Sequence, residues 1–190
     1  MQLLERINEI DIIRLESERD ALPYKTSFVG AYQSIFAEPP YNERFYPMEA
    51  EAILDKNLHS KEHITLMATI FEMVIGFAFA VPVAVRTDVT SKLRGLIPIQ
   101  HTFYLAELGV LDTHRRQGIG KALTQWRLKI IDPQRYRHVV LRTSVAKDAS
   151  YQMYRSLNFE DMGVYTEVSS RRTDGMVRTD RRLYLSQQLS

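Results

Sequence analysis

The chain has 190 residues, of which 45% are hydrophobic and 25% charged, with a formal net charge of +2. Such a length and balance suit one globular domain over residues 1–190 with a core of its own, and so small a net charge offers no argument for nucleic acid or membrane partners. With no cysteine, the chain has no disulfide, no thiolate metal site and no cysteine nucleophile. From Met1 onward there is no leader-like pattern, and no apolar run nears a membrane span. A cytoplasmic location is the expectation.

Residues 1–20 are charged, with an apolar alternation at Ile10, Ile12, Ile13 and Leu15 that suits a first strand. A helix is predicted from about Thr26 to Ala37, its apolar side carrying Phe28, Ala31, Tyr32, Ile35 and Phe36. Pro39-Pro40 stops it, because proline lacks a donor and restricts the residue before it. A second helix follows from about Pro47 to His59, with Pro47 suited to a first turn. Ile64 to Ile70 alternates with period two, Phe71-Glu72-Met73 turns, and Val74 to Val81 returns as an antiparallel partner. From Pro82 to Thr102 runs a connection long enough to carry function or structure of its own.

The next stretch organises the chain. Phe103 to Leu111 is an apolar strand broken only by Glu107. Asp112-Thr113-His114 turns, and Arg115-Arg116-Gln117-Gly118-Ile119-Gly120 opens a helix with Ile119, Leu123, Trp126 and Ile130 at helical spacing. Asp132-Pro133 ends it. His138 to Val145 is a continuous apolar strand. Asp148 suits the N-cap of a short helix, Ala149 to Leu157, and Asn158 suits a left-handed terminus. Two final strands, near Asp161–Ser169 and Arg181–Gln188, are joined through an Asp174-Gly175 turn. This order predicts an α/β fold with a mixed central β-sheet flanked by helices.

The strand–turn–helix unit suits an anion. The first helical turn has unpartnered N–H groups and a positive dipole end, and Gly118 and Gly120 leave them open to a phosphate. Arg115, Arg116 and Lys121 add positive charge. A P-loop is excluded by Arg115 and Ala122, which stand where its first glycine and its hydroxyl belong; a dinucleotide fingerprint is excluded by Leu123 at its third glycine.

What Arg115 to Gly120 does match is the [RQ]-x-x-G-x-[GA] signature that loops around the pyrophosphate of coenzyme A. With Leu108-Gly109-Val110 on the preceding strand, the stretch resembles the GNAT superfamily of N-acetyltransferases. The segment from Lys147 to Phe159 is similar to that family's N-x-x-A-x-x-x-Y-x-x-x-G-F pattern, matching at Tyr154 and Phe159 and departing at Lys147, Ser150 and Asn158. The resemblance covers roughly residues 10–188. It implies the GNAT fold, with a sheet splayed between the fourth and fifth of the strands above. It further implies an acyl-CoA-dependent N-acyltransferase that passes acetyl from acetyl-CoA, as co-substrate, directly to a primary amine on a small molecule or peptide. Homodimers are common in the family.

Residue roles follow from the resemblance and from residue chemistry together. Arg115, Arg116, Gln117, Gly118, Ile119, Gly120 and Lys121 would hold the pyrophosphate, and the main chain of Leu108, Gly109 and Val110 the pantetheine arm. Tyr154 would supply a proton to the leaving thiolate. Glu107, the lone charge in its strand, is the candidate base, with Glu43, His101 or a water chain as rivals. Tyr32, Tyr41, Asn42 and Glu43 would border the acceptor. The histidines lack metal-ligand spacing, so no metal is expected. Two other readings stay open: a non-catalytic acyl-CoA-binding or sensing module, and a nucleic-acid binder using Arg171, Arg172, Arg178, Arg181 and Arg182.

Overall fold

The computed structural model describes residues 1–189. The elements run β1 (Gln2–Ile7), β2 (Ile10–Leu15), α1 (Glu18–Ala21), α2 (Lys25–Ala37), α3 (Pro47–Leu58), β3 (Ile64–Ile70), β4 (Met73–Pro82), α4 (Thr87–Leu93), β5 (Thr102–Val110), α5 (Ile119–Ile130), β6 (His138–Ser144), α6 (Ala149–Ser156), β7 (Glu160–Arg171) and β8 (Val177–Gln188). They build one eight-stranded sheet in the order β1-β2-β3-β4-β5-β6-β8-β7. Every neighbouring pair is antiparallel except β5 with β6.

The first strand is an addition to the sequence reading. Gln2–Ile7 forms the sheet edge, half of its residues exposed and none fully buried, so it carries no burial alternation to betray it. It joins β2 through Asn8, which takes the positive φ of 54° that the turn needs. The connection from Pro82 to Thr102 also holds structure of its own: short 3-10 turns at Val83–Val85 and Ile99–His101 flank α4.

Two features of β5 position the site. Its parallel ladder with β6 covers Thr102↔His138 to Leu105↔Leu141 and ends there, so Ala106–Val110 run on without a β6 partner. On its other edge, Phe79 pairs with Glu107 while Ala80 pairs with Leu105, leaving Ala106 as the extra residue of a β-bulge. The ladder is therefore broken on both edges of β5 at the same level.

Helices cover both faces. Against one lie α2 and α3, where Phe28, Tyr32 and Phe36 pack on Phe77 and Phe79; α4 adds Val89 and Leu93 beside Tyr104. Against the other lie α5 and α6, with Ile119, Leu123, Tyr151 and Tyr154 in the cluster of Phe103, Leu105 and Phe159. Gly109 belongs to the α2 side: a Cβ there would sit 2.8 Å from Phe77 Cζ and 3.2 Å from Ile35 Cδ1. Its lack of a side chain is used to seat α2 on the sheet. Among the described residues, no helix is long and apolar enough to cross a membrane.

Candidate active site

The anion turn is built as a concavity. Arg116 (φ 62°) and Gly118 (φ 83°) both take left-handed backbone, curling the chain just before α5. Gly118 is the N-cap, and no side chain caps the helix, so the amides of its first turn stay available. A Cβ built on Gly118 would meet no atom within 4 Å; the protein does not use that space for packing. Gln117, Gly118 and Lys121 are exposed around it. Arg115 is partly committed elsewhere: its Nε donates to Val110 O (3.1 Å) and its Nη1 to Asp112 (3.1 Å), which ties the turn to the end of β5. The residues present thus fit a pyrophosphate: free amides, an open cradle, and Arg116 and Lys121 for charge.

Beyond the bulge lies a cavity of about 160 Å³ between α3, β4, β5 and the start of the Pro82–Thr102 connection, lined among others by Asn57, Phe79, Val85, Arg86, Ala106 and Glu107. Burial pushes the Glu107 carboxyl up to about 7, against the opposing pull of Arg86 and Arg142 and the hydroxyl of Tyr32. Those arginines share Asp88: Arg86 donates to both of its oxygens (3.0 and 3.1 Å), and Arg142 Nη2 lies 3.3 Å from Oδ2. Asp88 therefore blunts their effect on Glu107.

A stability consequence follows from the direction of that shift. Between about pH 4.5 and 7 the folded protein keeps a proton on Glu107 that the unfolded chain has lost, so stability declines as pH rises through this window. Glu107→Gln removes the decline. Its melting temperature should gain on the wild type from pH 5 to pH 8, and an unchanged gap would mean a hydrated, ordinary carboxylate.

Tyr154 projects from α6 on the opposite face, 7% exposed, its ring edge-on to Phe159 at 5.6 Å. Burial raises its phenol and the Arg127 guanidinium beside it pulls the other way. Asp148 caps α6 by accepting from the amides of Ser150 (3.0 Å) and Tyr151 (3.2 Å), which holds the helix that carries Tyr154. Asn158 takes φ 66°, so asparagine meets here the left-handed requirement for which the family pattern has glycine. Lys147 also adopts positive φ (52°) and lies over the Tyr151 ring.

The acceptor candidates divide. Tyr32 is core, stacked on Phe77 at 5.3 Å, with its hydroxyl turned to Glu107. Glu43 is buried and accepts from Arg182 (3.1 Å), and Arg182 and Arg172 both pair with Asp180. Asn42 is a left-handed turn residue whose carbonyl accepts from Thr173 N (2.9 Å). Arg172 donates to Tyr41 O, and Arg182 lies over the Tyr41 ring. These residues clamp the α2–α3 loop to the β7–β8 hairpin. Arg171 and Arg178 pair with Glu49 and Asp174, and Arg181 stacks on Tyr165 at 4.0 Å. Of the five arginines weighed for nucleic acid, Arg172 is buried and Arg182 partly buried in ion pairs, while Arg171, Arg178 and Arg181 have partners at the surface. Among the described residues, no group of three or more His, Asp or Glu could hold a metal ion.

Arg127 was missed. It stands in the apolar stripe of α5 between Leu123 and Ile130 and is fully buried, while Trp126 packs half-buried against the same core and donates to Glu5 (2.6 Å). An arginine within an otherwise apolar stripe was the available signal.

The sequence model of the acetyltransferase (GNAT) family matches residues 28–159, well over half of the chain. The chain belongs to the acetyltransferase (GNAT) family. Its N-acetyltransferase relatives include family 8 member 3 of Rattus norvegicus, 37% identical over 75 residues, which are 38% of this chain and 33% of that protein. N-acetyltransferase 8B of Mus musculus is 39% identical over 61 residues, 32% of this chain and 26% of its own length. The chain thus spans about a third or less of these curated relatives where it matches them. Among solved structures, the fold is similar to a ribosomal-protein-alanine N-acetyltransferase from Brucella melitensis (TM-score 0.66, 17% identity, 93% of this chain and 99% of that one). It is similar also to Arabidopsis thaliana NAA60 in complex with acetyl-CoA (TM-score 0.65, 15% identity, 95% and 98%). Acetyl-CoA is the co-substrate of this family.

Proposed function

We propose that this N-acetyltransferase acetylates a primary amine seated in the cavity beside Glu107, using the turn at Arg116–Lys121 to hold the coenzyme. The observation that carries the reading is the double break in the sheet at β5, with the open phosphate turn on one side and the cavity at Glu107 on the other. Acetyl-CoA, when bound, supplies an activated thioester. The chain's own part is to place and move protons. The stretch Ala106–Val110, which has no β6 partner, offers main-chain groups to an extended arm, with Leu108, Gly109 and Val110 as its contacts and the Val110 carbonyl shared with Arg115. Glu107, held near neutrality in its titration, takes up the proton the amine gives up. Tyr154 Oη delivers one to the departing sulfur.

The cavity is smaller than the roughly 300–1,000 Å³ of pockets for drug-sized ligands. The clamp of Glu43, Arg172 and Arg182 ties the α2–α3 loop to the β7–β8 hairpin, and Tyr41 and Asn42 there line a separate cavity of about 320 Å³ with Arg172 and Asp180, so they do not border an acceptor seated beside Glu107. A panel of amines, assayed by thiol release with acetyl-CoA, tests the reading. Turnover with small amines or short peptides is expected. Tight acetyl-CoA binding with no release for any amine would favour a non-catalytic sensing module.

A further inference from the structure

Arg127 poses a physical problem that the roles above do not answer. Its side chain is fully buried. Nη1 donates to Phe79 O and to Glu107 O, both at 3.1 Å, and these are the paired residues that flank the bulge. Nη2 meets Thr124 Oγ1 at 3.1 Å, and that hydroxyl is itself bound to Gly120 O at 2.9 Å. Nε has no partner. Among the described residues, no carboxylate forms an ion pair with it. An unpaired buried cation costs several kcal/mol, and a leucine or methionine would fill an apolar helix stripe without that cost.

The titratable and charged groups that face it are Tyr154 from α6 and Glu107 from β5. Tyr154 in turn faces Arg127, the α6 cap Asp148, and Glu107, with Tyr41 of the α2–α3 loop near it. Arg127 is the one cation in that set. We propose that Arg127 is a positioning residue for acetyl transfer: it pins the bulged carbonyls at Phe79 and Glu107, and it sets a fixed positive charge beside Tyr154 for an anion that exists only during the reaction. This rests on the proposed role of Tyr154 as the acid. As the amine's C–N bond forms and the C–S bond breaks, the sulfur leaves with the bonding electron pair. Tyr154 Oη gives that sulfur its proton and becomes a phenolate beside the guanidinium, to be reprotonated from solvent, while the amine's surplus proton passes to Glu107 and on to water. A preorganised charge at the site where charge develops lowers the barrier without reorganisation.

The test is a double-mutant cycle of Arg127→Met with Tyr154→Phe, together with a titration of the unliganded protein. Arg127→Met alone is expected to lower kcat roughly 100-fold with acetyl-CoA affinity and the KM for coenzyme unchanged, and Arg127→Lys should restore most of the loss. In the Tyr154→Phe background the same change should cost markedly less, because the partner of the charge is gone and only the share owed to the carbonyls of Phe79 and Glu107 remains. In protein labelled with fluorotyrosine, the Tyr154 resonance (assigned by its loss in Tyr154→Phe) should titrate at higher pH once Arg127 is methionine. Equal losses in both backgrounds with an unmoved titration would overturn the proposal and leave Arg127 a structural residue. If Tyr154→Phe itself is fully active, the acid role of Tyr154 fails first and the proposal falls with it. Should Arg127→Met not fold, Arg127→Gln, which keeps a donor for the carbonyls, carries the same cycle and titration.

Discussion

Gly118→Trp is expected to abolish acetyl-CoA binding while the fold survives. The residue has φ 83° and ψ −7° at the N-cap of α5, so any side chain there meets left-handed strain of about 1–2 kcal/mol. That strain should lower the melting temperature by roughly 2–8 °C in a chain of this size. The indole has room, because a Cβ at this position contacts nothing, and it would occupy the space in front of the free amides. A loss of at least about 100-fold in affinity, near 2.7 kcal/mol, is expected by titration calorimetry. Gly118→Ala is the control, since it introduces the strain with little bulk and should keep most of the binding. Wild-type affinity in Gly118→Trp would remove the turn from the coenzyme site. An equal loss in Gly118→Ala would trace the effect to backbone conformation and not to blocked access.

The second large effect belongs to Tyr154→Phe. The ring packs edge-on against Phe159 and sits in the α5–α6 cluster, and phenylalanine keeps those contacts. The change removes one hydroxyl beside Arg127 and leaves the cap of α6 at Asp148 untouched. A loss of about 10²-fold in kcat is expected, the lower end for a general acid, with acetyl-CoA affinity unchanged. A thioester analogue whose thiol is more acidic needs less help on leaving, so the defect should shrink with it. If kcat stays within a factor of two of wild type, the thiolate leaves unassisted and Tyr154 is a packing residue.

Much of this architecture could be read in the chain itself. The hairpin of β3 and β4 lay in the alternation of Ile64 to Ile70, the Phe71–Met73 turn and the apolar run Val74 to Val81, although both strands prove buried on both faces, and α5 lay in the spacing of Ile119 and Leu123. The cap at Asp148 and the left-handed end at Asn158 were visible because capping and turn chemistry act over two or three residues. Less legible was β1, an edge strand of which only Leu4 and Ile7 pack partly against the core, too few to write a pattern. Helix α4 was hidden in a polar stretch where only Val89 and Leu93 reach the core.

The split within the site has the same origin. The turn before α5 is local: Arg116, Gly118 and the first amides of the helix are neighbours along the chain, and their left-handed backbone follows from residues a few positions apart. Nothing local could announce that Arg127 would reach across to the carbonyls of Phe79 and Glu107, 48 and 20 positions away. Nor could the chain order show that Glu43 would be drawn into an ion pair with Arg182, 139 positions on, or that Asp88 would hold Arg86 and Arg142 beside Glu107. Hydrogen-bonding chemistry within one turn belongs to the sequence. The dielectric surroundings of a carboxyl or a guanidinium arise only when distant strands and helices exclude water together, and that is a property of the folded packing.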